Sequence, residues 1–224
     1  MALDDTALRA LRANDIQLLP PRDFRGKLER TGLGEWKLET PRRSPDACII
    51  AYPPLYAVRQ RPPLTATWKR TVYYEVHLRS VESKDAAVAV GFTALPYPGF
   101  RMPGWHRGSM AVHGDDGHKF VNDQWGGVSY TQPFQPGGAY GIGMTFEASG
   151  GRISVTCFFT RDGRVSETWD LHEEQDAQET LPVTGLEGFH DLSCAVGTYG
   201  QLKCEVVFDP AKWRHQPEHV GIET

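Results

Sequence analysis

A short run of histidine and aspartate residues is the first candidate for chemistry in this chain. His113 and His118 enclose the sequence Gly-Asp-Asp-Gly, and imidazole and carboxylate groups at such spacing can converge on a metal cation. The same run suits a tight turn, because Asp side chains bond the local backbone and glycine accepts a positive φ. We favour the turn and expect neither a metal nor a cofactor.

A hydrolase is the enzymatic alternative. Ser109 lies near His106 and His113 in the sequence, with Asp115 beyond them, and these are the residue types of a nucleophile, a base and an orienting acid. The chain has no G-x-S-x-G sequence of the kind that exposes a nucleophilic serine. We therefore assign no catalytic residue and expect a protein that is not an enzyme.

Residues 94–108 combine aromatic and basic side chains. Protein interfaces are enriched in Trp, Tyr and Arg, which bury much surface and still satisfy their polar atoms. Trp105 and Arg101 could instead be buried anchors that shape the loop, and Tyr199, in a second loop, could be a plain exposed turn residue. The candidate partner-binding residues are Tyr97, Phe100, Arg101, Trp105, His106, Arg107 and Tyr199.

The sequence Pro53-Pro54-Leu55-Tyr56 matches P-P-x-Y, the ligand of WW domains. Such a ligand docks because its polyproline II conformation is preformed and its Tyr fills a groove. The alternative is that these residues lead into the first strand with Tyr56 packed. We favour the packed alternative, since a WW ligand must be exposed.

Composition excludes several classes of function. The 224 residues carry 24 basic and 28 acidic side chains, a net charge of −4, which argues against nucleic-acid binding. The apolar stretch 47–58 is interrupted by Pro53 and Pro54 and is shorter than the roughly 20 residues of a membrane span. No secretory signal is recognisable at the N-terminus. The four cysteines include no C-x-x-C pair, so we expect reduced thiols in the cytoplasm, with the nucleus as an alternative.

The chain after residue 70 has the period of two that predicts β-strands. Val72, Tyr74, Val76 and Leu78 fall on one face of the first such segment, and their neighbours on the other. Gly150-Gly151 and Asp162-Gly163 separate successive segments and suit tight hairpins. Antiparallel hairpins with one apolar face must stack, which predicts a β-sandwich. The other apolar faces are Val88, Val90 and Phe92; Ile142, Met144 and Phe146; Ile153, Val155, Cys157 and Phe159; and Leu202, Cys204, Val206 and Phe208.

The N-terminal part is different. Residues 1–13 have helical spacing of their apolar side chains, and residues 19–63 are rich in proline with little periodicity. We interpret the latter as an extended arm. The expected organisation is a helix and arm over 1–50, a sandwich over 51–214 and a tail over 215–224.

Several motifs, in order, resemble the SPRY domain family over about residues 52–213. The resemblance implies a bent antiparallel β-sandwich that binds peptides or folded partners through rim loops and has no enzymatic activity; it also places the Tyr199 loop beside the peptide site. The matching sequences are Tyr73-Tyr-Glu-Val76, Val90-Gly-Phe92, Pro96-Tyr-Pro-Gly-Phe-Arg-Met-Pro-Gly-Trp105, Met110-Ala-Val-His-Gly-Asp-Asp-Gly-His-Lys-Phe120, Tyr140-Gly-Ile-Gly143 and Phe158-Phe-Thr-Arg-Asp-Gly163.

Two groups within the family are most similar. One is the SPRY domains of Ran-binding-protein scaffolds in CTLH-type ubiquitin ligases, and the other is the fungal trafficking adaptors that recruit WW-domain ubiquitin ligases. The expected function is an intracellular module that binds a protein or short peptide, as substrate receptor or adaptor for ubiquitin ligation. The alternatives are a carbohydrate-binding, lectin-like sandwich, whose aromatic loops would suit sugars, and a metal-dependent hydrolase acting through His113–His118.

Overall fold

A computed structural model describes residues 5–12, 14–83, 85–122, 126–173 and 185–220. One α-helix, α1 (Asp5–Arg12), lies within the segment that the sequence predicts to be helical. The strands are β1 (Gln17–Leu19), β2 (Lys27–Gly32), β3 (Glu35–Glu39), β4 (Ala47–Tyr52), β5 (Trp68–Val81), β6 (Ala87–Ala94), β7 (Ser109–His113), β8 (His118–Val121), β9 (Val128–Ser129), β10 (Ala139–Ser149), β11 (Arg152–Arg161), β12 (Arg164–Asp170), β13 (Leu192–Tyr199) and β14 (Leu202–Val207).

The strands form two antiparallel sheets that stack as a sandwich, as the alternation predicts. The first sheet has the order β1-β4-β13-β6-β7-β8-β9, and the second has the order β12-β11-β10-β5-β14-β3-β2. The inward faces of β5, β6, β10, β11 and β14 carry the predicted apolar residues, and nearly all of these are buried in one continuous core. Alternating side chains thus place one set between the sheets and leave the other set on the two outer faces.

The predicted hairpin turns are confirmed. Gly150 and Gly151 connect β10 to β11, with φ angles of 60° and 81°. Asp162 and Gly163 connect β11 to β12, with φ angles of 50° and 84°. Two successive positive φ angles match the right-handed twist of the flanking strands.

Residues 19–63 contain more regular structure than the sequence suggested. β4 pairs with β13 in the first sheet, and β3 pairs with β14 in the second. The expected start of the sandwich at residue 51 therefore falls inside β4. This strand reads Ala-Cys-Ile-Ile-Ala-Tyr and is largely buried on both faces, so it lacks the alternation by which a half-buried strand is recognised.

The outer face of the second sheet is partly covered by the C-terminal segment. Trp213 packs edge-on against Tyr73, with ring centroids 4.9 Å apart, and Phe158 and Val207 complete this cluster. Further along, the Thr71 amide donates to the carbonyl of His219 at 2.8 Å. Residues 215–220, which we expected to be a tail, thus lie along β5.

Glu75 fastens this segment to the sheet. Its carboxylate accepts the backbone N–H groups of Arg214 at 3.0 Å and His215 at 2.9 Å, and the hydroxyl of Tyr73 at 2.8 Å. His77 Nε2 lies 2.7 Å from the other side of the carboxylate. Burial by itself raises the pKa of Glu75, but these four hydrogen bonds together lower it below its ordinary value.

One hydroxyl connects the two sheets through the core. Tyr74, on β5 of the second sheet, accepts the N–H of Gly91 at 2.8 Å and donates to the carbonyl of Ala195 at 2.8 Å. Gly91 and Ala195 are paired residues of β6 and β13 in the first sheet. The Tyr74 hydroxyl therefore fixes the position of the central strands of the first sheet relative to β5.

In the described part of the chain, no helix has both the length and the apolar character needed to cross a bilayer. The connecting 3₁₀ turns, Val58–Gln60, Leu171–Glu173 and Pro210–Lys212, each have three residues.

The Glu75→Gln variant is expected to unfold at a lower urea concentration at pH 7. The amide nitrogen of Gln would face N–H donors, and the loss should be about 1–3 kcal/mol of unfolding free energy. Since the folded pKa lies below the unfolded value, the stabilisation by Glu75 is complete above about pH 4.3 and is lost as the pH falls through the folded pKa. The difference between variant and wild type should therefore shrink in acid, whereas Glu29→Gln, at an exposed position, should differ little from wild type at either pH. A difference that does not depend on pH would contradict this role for Glu75.

Tyr74→Phe is expected to lower the unfolding free energy by about 1–3 kcal/mol, because it removes the hydroxyl that bonds buried backbone groups of Gly91 and Ala195. Tyr199→Phe is the matched control, since Tyr199 is 43% exposed, and it should change stability by less than about 0.5 kcal/mol. Equal stability of the two variants in chemical unfolding would show that the link through Tyr74 does not matter.

Candidate functional site

The loop of residues 95–108, between β6 and β7, lies on the outer face of the first sheet. Beneath it lie small side chains of the sheet, among them Ala87, Ala89 and Ala111, and these pack against Met102 of the loop. Trp105 packs against the same cluster from the side. The loop therefore covers the sheet like a third layer, whereas the sequence led us to expect it at a rim.

Hydrogen bonds hold the loop at several points. The Tyr97 hydroxyl donates to the carbonyl of Met102 at 2.6 Å. The Cys48 amide, on β4, donates to the carbonyl of Gly99 at 2.9 Å. Arg101 Nη1 donates to the carbonyl of Trp105 at 3.0 Å. Backbone groups that would otherwise be unpaired are satisfied in this way, so the loop has a defined conformation.

Gly197 makes the close approach of the loop possible. An added Cβ at this position would lie 2.6 Å from Cδ of Pro103 and 2.8 Å from Sδ of Met102. The requirement for glycine is steric here, because no positive φ is involved. Glycine within a strand often marks such an approach of another segment.

His113 supports the loop from below. Its side chain is buried, and burial lowers its pKa, so it is neutral at physiological pH. Its Nε2 donates to the carbonyl of Pro103 at 2.9 Å. The rings of Trp105 and Phe120 pack against it, with centroids 5.1 and 4.3 Å from that of His113. His113 thus acts as a structural residue of the loop.

The run from His113 to His118 forms the turn of a hairpin, the alternative that we favoured. It joins β7 to β8, and Asp116 accepts the backbone N–H of His118 at 2.9 Å. Among the residues that the structure describes, no three His, Cys, Asp or Glu side chains are grouped to hold a metal ion.

Ser109 also serves the backbone. Its hydroxyl donates to the carbonyl of His106 at 2.6 Å and accepts the N–H of Gly104 at 2.9 Å. The side chain is buried. These two hydrogen bonds stabilise the turn of the loop back into β7. The buried Ser109 hydroxyl does not resemble an exposed nucleophile.

The candidate partner-binding residues divide into anchors and exposed side chains. Tyr97 and Trp105 are half-buried and fix the loop. For Trp105 this agrees with the alternative that it anchors the loop. Phe100 is 68% exposed and Tyr199 43% exposed. The remaining members of the set, Arg101, His106 and Arg107, are exposed.

Strand register brings Tyr199 to the same face as the loop. Tyr199 ends β13 and pairs with Ala87 of β6, and Ala87 belongs to the cluster under Met102 and Trp105. Residues about a hundred positions apart in the chain are thus combined on one surface. We call the face formed by Phe100, Arg101, Trp105, His106, Arg107 and Tyr199 the outer aromatic face.

Asp46 is a further residue of this surface that the sequence analysis did not identify. Ala47 pairs with Thr198 in antiparallel register. Asp46, the residue before Ala47, therefore lies beside Tyr199, the residue after Thr198. Burial, and then the charge of Asp115, raise the pKa of Asp46. No signal in the sequence marks Asp46, because β4 itself lacked a recognisable pattern.

Tyr56 of the P-P-x-Y sequence is packed in the core, the alternative that we favoured. Tyr56 is fully buried, stacks on Phe146 with centroids 4.1 Å apart, and donates its hydroxyl to the carbonyl of Gly188 at 2.9 Å. Pro53 and Pro54 are buried as well. A WW domain requires an exposed Tyr, and the packing of Tyr56 into the core leaves none.

Gly197→Ala is expected to displace the loop and to lower the unfolding free energy by about 1–3 kcal/mol, since the added methyl group has no room. The double variant Gly197→Ala/Pro103→Ala removes the clashing Cδ and should recover part of the loss, which a double-mutant cycle measures. Strictly additive effects would mean that the loop does not rest on Gly197. The NMR signal of the Cys48 amide reports the displacement directly.

Comparison with known proteins agrees with this architecture. The SPRY domain family matches residues 71–197, more than half of the chain. Protein ssh4 of Aspergillus clavatus is 32% identical over 145 residues, which are 65% of this chain and 26% of that protein. The Ran-binding proteins 9/10 homolog of Drosophila melanogaster is 32% identical over 91 residues, 41% of this chain and 9% of that protein. The chain thus spans about a quarter of the first relative and less of the second.

A crystal structure of a human SPRY domain superposes with a TM-score of 0.54 at 21% sequence identity, covering 77% of this chain and 91% of that one. This likeness concerns the fold. Together with the sandwich of two antiparallel sheets and the match over residues 71–197, it leads to one conclusion: the chain belongs to the SPRY domain family, a family of protein-interaction modules.

Proposed function

We propose that the outer aromatic face docks a protein or a short peptide. The observation that carries this proposal is the exposure of Phe100 and Tyr199 on a face whose backbone is fixed by hydrogen bonds and by packing on small residues. Large apolar side chains exposed together mark interaction sites more often than single ones do. A docking face of this kind would make and break no covalent bond.

The energetics of the face favour recognition by a few side chains. Aromatic residues and arginine dominate binding energy where they are desolvated by a partner. Trp105 is already half-buried and anchored by His113, so a partner that covers its remaining surface loses little side-chain entropy. Arg101 and Arg107 supply donors around the aromatic rings.

The proposed cellular role is that of a substrate receptor or adaptor for ubiquitin ligation. It rests on the resemblance to the SPRY domains of Ran-binding-protein scaffolds and of fungal ligase adaptors. Because Tyr56 is buried, the P-P-x-Y sequence would not recruit a WW-domain ligase from this domain, so the part proposed for this chain is recognition of the substrate. The cytoplasm or nucleus is the proposed location, since all four cysteines are free thiols.

Variants of the outer aromatic face test the proposal. Affinity purification from the native host with mass spectrometry would identify a partner, and titration calorimetry would then measure its Kd. Arg101→Ala and Tyr199→Ala are each expected to weaken binding by about 5- to 50-fold, in line with truncation of interface hot spots; Trp105→Ala should do the same. Leu33→Ala is the control, because Leu33 is 61% exposed and lies in the β2–β3 turn of the second sheet.

Unchanged affinity in all three variants would reject the outer aromatic face as the docking site. Ubiquitin-ligase subunits among the purified partners would support the adaptor role. Parallel peptide and glycan arrays distinguish the lectin-like alternative, which predicts binding to glycans that is lost in Tyr199→Ala and no binding to peptides.

A further inference from the structure

A cavity of about 590 Å³ lies away from the outer aromatic face, where α1, the turn Val58–Gln60, β5 and the C-terminal segment meet. It exists because β14 ends at Val207, opposite Glu75, while β5 begins seven residues earlier, at Trp68. The N-terminal half of β5 therefore has no partner from β14. Much of the wall is apolar and is made by Leu11, Leu55, Val72, Phe208 and Trp213.

Arg70 also lines this cavity and is only 6% exposed. Its Nη2 donates to the carbonyl of Leu55 at 2.8 Å and to the side-chain oxygen of Gln60 at 3.3 Å, and the guanidinium lies over the ring of Tyr56 at 5.4 Å. Burial lowers the pKa of Arg70 to about 10, so the group is still charged at pH 7. A buried charge is normally paired with an opposite one.

No such partner is provided by the described residues. Arg70 Nη1 is buried without a hydrogen-bond partner, and no carboxylate of the described chain forms an ion pair with this guanidinium. The neighbouring Arg59 of the cavity wall already pairs with Asp5 at 3.2 Å. Nη1 has therefore lost its hydrogen bonds to water without gaining a partner in the protein. An anionic oxygen would supply that partner.

We propose that this cavity binds a small carboxylate with an apolar chain, the carboxylate pairing with Arg70 and the chain lying against Leu55, Val72 and Phe208. A carboxylate fits better than a phosphate, because a largely apolar wall would leave most phosphate oxygens unpaired. Because Nη1 has no water-accessible surface, the proposed bond requires the guanidinium to turn toward the cavity. The site is separate from the docking of a protein partner and does not depend on it.

Octanoate titrated into the full chain is the direct test, with 1-octanol as a ligand of the same length that lacks the charge. Two-dimensional NMR is expected to show saturable shifts of the Val72 amide and the Trp213 indole N–H. Octanoate should bind at least about tenfold more tightly than 1-octanol, the value of one charged hydrogen bond. Equal affinity, or shifts that do not saturate, would overturn the proposal.

Variants then assign the contacts. Arg70→Gln is expected to lose about tenfold in octanoate affinity and to keep the affinity for 1-octanol. Arg161→Gln is the matched control, because Arg161 also lies over a tyrosine ring but does not line the cavity, and it should bind as wild type does. Unchanged octanoate binding by Arg70→Gln would contradict the role of this residue.

A second variant keeps the test decisive if Arg70→Gln does not fold. Leu55→Trp places bulk in the cavity and leaves Arg70 intact. It is expected to abolish the shifts caused by both ligands. Wild-type binding by Leu55→Trp would show that the ligands bind elsewhere and would overturn the site.

Discussion

The architecture depends on one buried hydroxyl, that of Tyr74. It accepts a hydrogen bond from β6 and donates one to β13, and so fixes the two central strands of the first sheet against β5 of the second. The residues it bonds, Gly91 and Ala195, belong to the outward-facing set of those strands, where side chains are minimal. Small residues on this outer face leave room for loop 95–108, as Gly197 does beside Pro103 and Met102.

The two outer faces of the sandwich are used differently. On the second sheet, the C-terminal segment covers Tyr73 and is fastened by Glu75, whose carboxylate is fully satisfied within the fold. On the first sheet, loop 95–108 covers the strands but directs Phe100 and Arg101 outward. The C-terminal segment covers part of its face, whereas the loop presents side chains, and both are held by backbone hydrogen bonds and aromatic packing.

Much of the fold could be predicted from the sequence, because strands such as β5 and β10 have one face in the core and therefore alternate. The hairpins at Gly150 and Asp162 could be predicted for a similarly local reason. β4 could not, since a strand buried on both faces has no alternation. Tyr56 illustrates the same limit: a short motif does not reveal that its tyrosine packs against Phe146, which is distant in the chain.

The candidate site was predicted only in part. Composition identified Trp105 and Arg101, and the family resemblance identified Tyr199. Strand register, which combines them with Asp46, is a property of pairing between distant segments. Gly197 could have been recognised as a glycine inside a strand, a known sign that another segment approaches closely. The sequence around Gly197 does not indicate that the approaching residue is Pro103. The sequence thus supplies the side chains, and tertiary contacts decide which of them are anchors and which face outward.

The central claim is that loop 95–108 is a fixed layer of the fold that presents the outer aromatic face in one conformation. Amide hydrogen exchange at Cys48 tests it most directly, because this N–H donates to Gly99 of the loop. If the loop is part of the cooperative fold, the Cys48 amide exchanges as slowly as the ladder amides of β13. Exchange at the rate of an unstructured chain, with β13 still protected, would contradict the account.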